Sequence, residues 1–158
     1  MEEALALAKE AAACGEVPVG AVVVYRDQVI GRGRNRRESA QTALAHAELE
    51  AIHQACQYMG SWRLRGCILY VTLEPCPMCA GAIANAQIDT VVYGLDDPQA
   101  GCAGTAANVF ALPYVHAPEV YRGLCEGECR ALLRGFFQGL RGKGRDGRPS
   151  GGCLNKKR

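Results

Sequence analysis

Two cysteines three positions apart, a histidine thirty residues before them and a glutamate two residues beyond that histidine are the side chains best placed for chemistry. They lie in Ala45-His46-Ala47-Glu48 and Pro75-Cys76-Pro77-Met78-Cys79. Residues i and i+3 of a helix share a face, so a helix opening near Cys76 turns both sulfurs the same way. The positive end of the helix dipole favours thiolates in that first turn. Two thiolates and an imidazole, from His46, suit a zinc ion. Three protein ligands leave one tetrahedral position for water, the pattern of a catalytic rather than a structural site. Two thiolates cancel the formal charge of the metal, so its water gains less acidity than at an all-histidine site, and a nearby base helps. Glu48 is the candidate. Two positions beyond His46, it is expected to point away from the ligand face, which makes it a poor ligand and a plausible proton shuttle.

Other assignments are weaker. A zinc ribbon needs a second C-x-x-C pair, and Cys125 and Cys129 are spaced C-x-x-x-C far along the chain. Cys102, in a glycine-rich loop, could close the fourth position. Cys14, Cys56 and Cys67 read as small apolar fillers, and Cys153 as a tail residue. His53, seven residues after His46, falls on roughly the same helix face and reads as a core histidine or a support for the ligands. His116 reads as a surface or loop residue.

The elements that must position these groups follow from periodicity and breakers. An alanine- and leucine-rich helix is expected over Glu2–Cys14, stopped at Gly15. A buried strand over Val17–Tyr25 turns at Arg26-Asp27-Gln28 into a second strand over Val29–Gly33. A polar loop from Asn35 to Gln41 leads to a helix over Ala45–Tyr58, ending near Gly60. A third strand covers Cys67–Thr72, and Pro75 fits the turn into a helix over Cys76–Ala86. Asp89–Gly94 is a fourth strand, 96–108 a loop over the site, and Val115–Tyr121 a fifth strand. Glu126–Leu140 reads as a helix despite Gly135 and Gly139. This alternation argues for an α/β domain with helices on both faces of one sheet.

At 158 residues the chain is one domain long and can bury a core without disulfides. Nine cysteines, an odd number, with no export signal, point to ligation or buried thiols rather than a disulfide framework. Glu2, Glu3 and the alanines after them lack the basic start and cleavage site of a secretory leader. No apolar run approaches the roughly 20 residues of a membrane span. A cytoplasmic protein with no membrane partner is expected. The net charge of +2 divides unevenly. Residues 1–133 hold 10 basic and 15 acidic side chains, and residues 134–158 hold 8 and 1. An acidic body with a cationic end suits a polyanionic partner, although a merely solvated tail fits as well. The expected division is a domain over 1–142 and a basic, disordered tail over 143–158.

H-x-E followed by P-C-x-x-C is the signature of the zinc-dependent nucleobase deaminases. The likeness extends further. Glu16-Val17-Pro18-Val19-Gly20-Ala21-Val22, Ala45-His46-Ala47-Glu48 and Leu73-Glu74-Pro75-Cys76-Pro77-Met78-Cys79-Ala80-Gly81-Ala82 resemble the bacterial tRNA-specific adenosine deaminases. So do Gly60-Ser61-Trp62-Arg63-Leu64, Val91-Val92-Tyr93-Gly94 and Leu132-Leu133-Arg134-Gly135-Phe136-Phe137. The resemblance runs from about Ala4 to Arg141. Thr42-Ala43-Leu44 stands where some relatives have Asp-Pro-Thr, and the first helix is a few residues short.

The resemblance implies the cytidine-deaminase-like fold, a three-layer α/β/α domain around a five-stranded mixed sheet. It implies hydrolysis of adenosine to inosine at the wobble position of a tRNA anticodon. One zinc ion per subunit would be held by His46, Cys76 and Cys79, with Glu48 moving protons between the water, the ring nitrogen and the departing ammonia. It also implies a homodimer, a contact from Asn35 to the flipped nucleoside, and Asp97 on the loop lining the nucleic-acid path. Backbone N–H groups near Ala47 and Cys76 are candidates to orient the base. Two other readings fit the same residues. A deaminase of free bases or nucleosides needs the same zinc site, and a non-catalytic zinc-stabilised RNA-binding module needs no Glu48.

Overall fold

The computed structural model describes residues 1–142. In chain order they form α1 (Glu2–Ala13), β1 (Gly20–Tyr25), β2 (Gln28–Arg34), α2 (Ala47–Met59), β3 (Cys67–Leu73), α3 (Pro77–Asn85), β4 (Thr90–Leu95), a 3₁₀ turn at Val109–Ala111, β5 (Glu119–Arg122) and α4 (Glu126–Gly142). The five strands make one mixed sheet in the order β2-β1-β3-β4-β5. The first two pairings, β2 with β1 and β1 with β3, are antiparallel. The last two, β3 with β4 and β4 with β5, are parallel.

One reversal of direction decides where function can sit. Arg26 and Asp27 take left-handed backbone conformations, with φ of 47° and 62°, which matches a tight hairpin turn to the twist of its strands. β1 therefore returns as β2, and β2, β3 and β4 all run the same way. Their C-terminal ends open on one edge of the sheet, and the segments after them begin at Asn35, Glu74 and Asp96. Open α/β sheets bind ligands at such an edge.

Helices cover both faces. α2 packs on β1, β2 and β3 and touches α3, while α1 and α4 touch one another on the other face. The main core lies under α2 and α3 and includes Ala21, Val23, Ala51, Leu69, Val71, Ile83 and Val91. A smaller one joins Leu5 of α1, Leu95 and Cys129 of α4. Close approach depends on glycine: a methyl group at Gly20 would overlap the Ala4 carbonyl of α1, and one at Gly31 that of Ala51 in α2. Among the described residues, no helix is long and apolar enough to cross a membrane.

Most element ends lie within a residue or two of the sequence reading, and three elements depart from it in ways that have a physical cause or a consequence for the site. β1 begins at Gly20, not Val17. Pro18 cannot donate to a ladder, and Val19 N–H turns back to Val17 C=O at 2.8 Å. β5 is Glu119–Arg122 rather than Val115–Tyr121, because Pro118 delays the ladder until Glu119 N–H reaches Asp89 C=O at 2.8 Å. α2 begins at Ala47 rather than Ala45, and this shift reorients the site.

Candidate metal centre

His46 is the residue before the first turn of α2, with extended backbone (φ −87°, ψ 149°). Cys76 holds the same place before α3 (φ −71°, ψ 174°), and Pro77 opens that helix, where its missing N–H costs nothing. Cys79 lies one turn inside, buried. Two helix starts thus bring together one imidazole and two sulfurs. His46 Nδ1 is 3.7 Å from Cys76 Sγ and 3.6 Å from Cys79 Sγ, and all three ligand atoms lie within 4.8 Å of one another. Ordinary zinc–nitrogen and zinc–sulfur bonds at a tetrahedral angle put nitrogen and sulfur about 3.6 Å apart, and both nitrogen–sulfur separations match that value.

The proton inventory agrees. The Cys76 thiol is pushed down to about 4, chiefly by the hydrogen bond from Cys79 and also by His46. The partner thiol of Cys79 is pushed up, since it supplies that hydrogen bond from a buried position. Its hydrogen bond to the Cys76 thiolate holds His46 above its ordinary value. The lowered Cys76 value favours its thiolate, the form that binds a cation.

Glu48 does not point away from this group, as the sequence suggested. His46 stands outside the helix, so the two residues are not spaced by helical rotation. The Glu48 carboxyl is 4% exposed, interacts with Cys79 and lines the same pocket as His46 and Cys76. Burial pushes its pKa up to about 6, the range suited to a group that exchanges protons near neutrality. His53 fails for the same reason: it lies on the exposed side of α2 rather than in a core or behind the ligands. Cys102, Cys125 and Cys129 stay outside the ligand group. Cys129 packs in the core between α1 and α4. His116 bonds the Ile88 carbonyl at 3.0 Å, partly buried beside the sheet.

The pocket holds about 180 Å³ and is lined by Asn35, Ala47, Glu48, Glu74, Cys76 and Asp97, among others. That is below the roughly 300 Å³ of a site for a drug-sized ligand, so it suits one ring system rather than a stack. Asn35 is buried; its Nδ2 donates to Val17 C=O at 3.3 Å and its Oδ1 accepts from Arg37 N–H at 3.3 Å. An amide has two donors and two acceptor sites, so one of each is left for a ligand. Ala47 contributes a first-turn N–H, which has no partner within its helix. Asp97 borders the pocket, but its Oδ1 caps its own turn through Gln99 and Ala100 N–H, at 3.0 and 3.3 Å.

Two buried acids went unassigned in the sequence: Glu74, which lines the pocket, and Glu16, next in the chain to the lining residue Val17. Glu16, 1% exposed, accepts from Ser39 and Glu38 N–H at 2.7 and 3.1 Å and so fixes the loop after Asn35. Glu74 does the same for the loop beyond β4. The available signal was position: an acid beside Val17-Pro18-Val19, and an acid between a strand and Pro75.

Residues 1–141 match the model of the MafB19-like deaminase family. The chain is 48% identical over 144 residues to the tRNA-specific adenosine deaminase of Bacillus subtilis, covering 90% of this chain and 89% of that one. A solved structure from work on A-to-I editing by tRNA:A34 deaminases at the wobble position of transfer RNA superposes with a TM-score of 0.79 at 46% identity, covering 84% of this chain and 97% of that one. Guanine deaminase from Bacillus subtilis superposes less closely, with a TM-score of 0.59 at 33% identity, covering 93% and 94%. The chain adopts the cytidine-deaminase-like fold and belongs to the family of the tRNA-specific adenosine deaminases, within the MafB19-like deaminases.

Proposed function

We propose that this chain hydrolyses adenosine to inosine at the wobble position of a tRNA anticodon. The observation that carries the reading is the His46–Cys76–Cys79 triangle with the Glu48 carboxyl beside it, in a pocket the size of one base. The donor set favours zinc, one ion per chain, which when bound supplies Lewis acidity and an acidified water. Glu48 takes a proton from the attacking water and passes it to the ring nitrogen. It then takes the proton of the new hydroxyl on carbon 6 and passes it to the amino nitrogen as the carbon–nitrogen bond breaks and ammonia leaves. Asn35 holds the base edge with its remaining donor and acceptor. The Ala47 N–H, at the positive end of α2, attracts a ring acceptor. Asp97 keeps its turn, and hence the pocket rim, in place.

An anticodon loop supplies a base that leaves its stack at little cost, and residues 1–142 form the catalytic unit. The cationic residues from Arg134 onward bind the phosphates. The basic segment 143–158, expected to be a disordered tail, lies outside the described residues and enters this reading by its charge alone. The working form is a cytoplasmic homodimer. Purified protein incubated with anticodon stem-loops, free adenine, adenosine and guanine tests the reading. Inosine in the stem-loop alone supports it; ammonia from the free bases alone replaces it with the small-substrate reading.

A further inference from the structure

We propose that Glu74 is a positioning residue for the base: its buried carboxylate fixes the loop after β4 as a wall of the pocket and thereby sets how tightly substrate is held. The proposal rests on the deaminase reading above. Glu74 sits between the end of β3 and Pro75-Cys76, so its backbone is continuous with a candidate metal ligand. Its side chain is 2% exposed, and among the described residues it forms no ion pair. Three main-chain donors take the place of a cation. Oε2 accepts from Asp97 N–H at 3.0 Å, and Oε1 accepts from Ala103 and Thr105 N–H at 3.0 and 3.1 Å.

The loop is folded around that carboxylate. Cys102 N–H reaches Pro75 C=O at 2.8 Å, and Gly101 N–H reaches Asp97 C=O at 2.8 Å. A methyl group at Gly101 would overlap Glu74 Oε2 and lie 2.6 Å from Asp97 C=O. Asp97 and Ala100, on this loop, line the pocket together with Glu74 and Cys76. A buried loop must satisfy its backbone donors, and ionised acceptors do so with the stronger kind of hydrogen bond. Both oxygens accept, so an amide in either orientation would turn an N–H donor toward a backbone N–H.

Glu74→Gln is the direct test. Amide exchange at Asp97, Ala103 and Thr105 is expected to quicken about tenfold, the loss of roughly one charge-assisted bond. KM for an anticodon stem-loop is expected to rise about tenfold with kcat little changed, the mark of lost ground-state holding. Metal content should equal that of the wild type. Gly101→Ala presses on the same carboxylate from the other side and should reproduce this pattern, which keeps the test open if Glu74→Gln does not fold. Glu74→Asp, which keeps both acceptors one methylene short, should fall between. Combined, Glu74→Gln and Gly101→Ala should cost less than their sum, since both act on one contact. Wild-type exchange and KM in either variant would overturn the proposal, as would metal loss in both, which would place the effect on the ligand segment. A wild-type protein that makes no inosine would overturn the functional reading instead, and the exchange rates would still decide whether Glu74 holds the wall.

Discussion

Gly33 of β2 meets Ala47 of α2 backbone to backbone: a methyl group on Gly33 would overlap the Ala47 carbonyl oxygen and lie 2.7 Å from Ala51 N. The helix start that carries His46 and Glu48 is thus seated directly on a strand. Gly33→Ala must push that start outward, since backbone atoms cannot swing aside as a flexible side chain would. A loss of about 1–3 kcal/mol is expected, as for overpacking elsewhere, together with weaker metal binding because the imidazole moves off the sulfurs. Gly135→Ala is the control. It lies on α4 with nothing within 4 Å of a new methyl group, and should gain about 0.5–1 kcal/mol from helix propensity alone. Thermal unfolding and a zinc titration of the two variants check both outcomes.

Glu48 is the group whose loss should separate metal binding from turnover. It lines the pocket without belonging to the ligand triangle. Glu48→Gln is close in size and cannot take up a proton. Metal content should remain that of the wild type, while kcat on the stem-loop should fall by at least the 10²–10⁴ typical of a lost general acid–base. Normal turnover by this variant would remove Glu48 from the chemistry.

The two cysteines were legible in the sequence because they lie within one turn of a helix start that Pro77 marks, and His46 because His-x-Glu followed by Pro-Cys-x-x-Cys is the deaminase signature. The orientation of Glu48 was not legible, nor the exposure of His53. Both were inferred from His46 by helical rotation, and His46 turned out to be extended. One residue of cap geometry changes every angle counted from it. Glu16 and Glu74 were hidden for a different reason. Acids usually lie on the surface, and only the tertiary fold reveals that backbone N–H groups, not cations, surround these two. The order of strands was likewise a long-range property, whereas the strands themselves followed from β-branched runs.

The raised pKa of Glu48 has a consequence for the metal-free protein. Burial favours its protonated form, with a folded-state value of about 6 against an ordinary 4.5. Below the ordinary value both states are protonated and the group adds no penalty. As pH rises through about 6, the folded state must ionise a buried carboxyl or hold a proton that the unfolded state has released, and stability falls. The full difference is about 2 kcal/mol. Metal-free Glu48→Gln should therefore be more stable than metal-free wild type at pH 8 by up to about 2 kcal/mol, and should match it near pH 4. Denaturant melts at the two pH values check this. A variant less stable at pH 8 would mean that the carboxylate is paired rather than penalised.

The C-terminal charge makes a prediction that salt can read. Residues 1–133 carry a net charge of −5, so the body of the protein repels a phosphate backbone over much of its surface, while residues 134–158 carry +7. If those cations contact phosphates, each contact releases counterions, and the logarithm of affinity falls with the logarithm of salt by about 0.7 per phosphate on single strands. Ending the chain after Leu140 removes seven basic and one acidic side chain. The shortened protein should bind an anticodon stem-loop more weakly at low salt, with a visibly shallower salt dependence. The two proteins should converge at high salt, where screening removes what the segment adds. Hydrolysis at saturating substrate should be unchanged, because the ligand triangle, Glu48 and the pocket walls all lie before residue 141. Equal affinity and equal slope across the titration would assign these cations to solvation rather than to RNA.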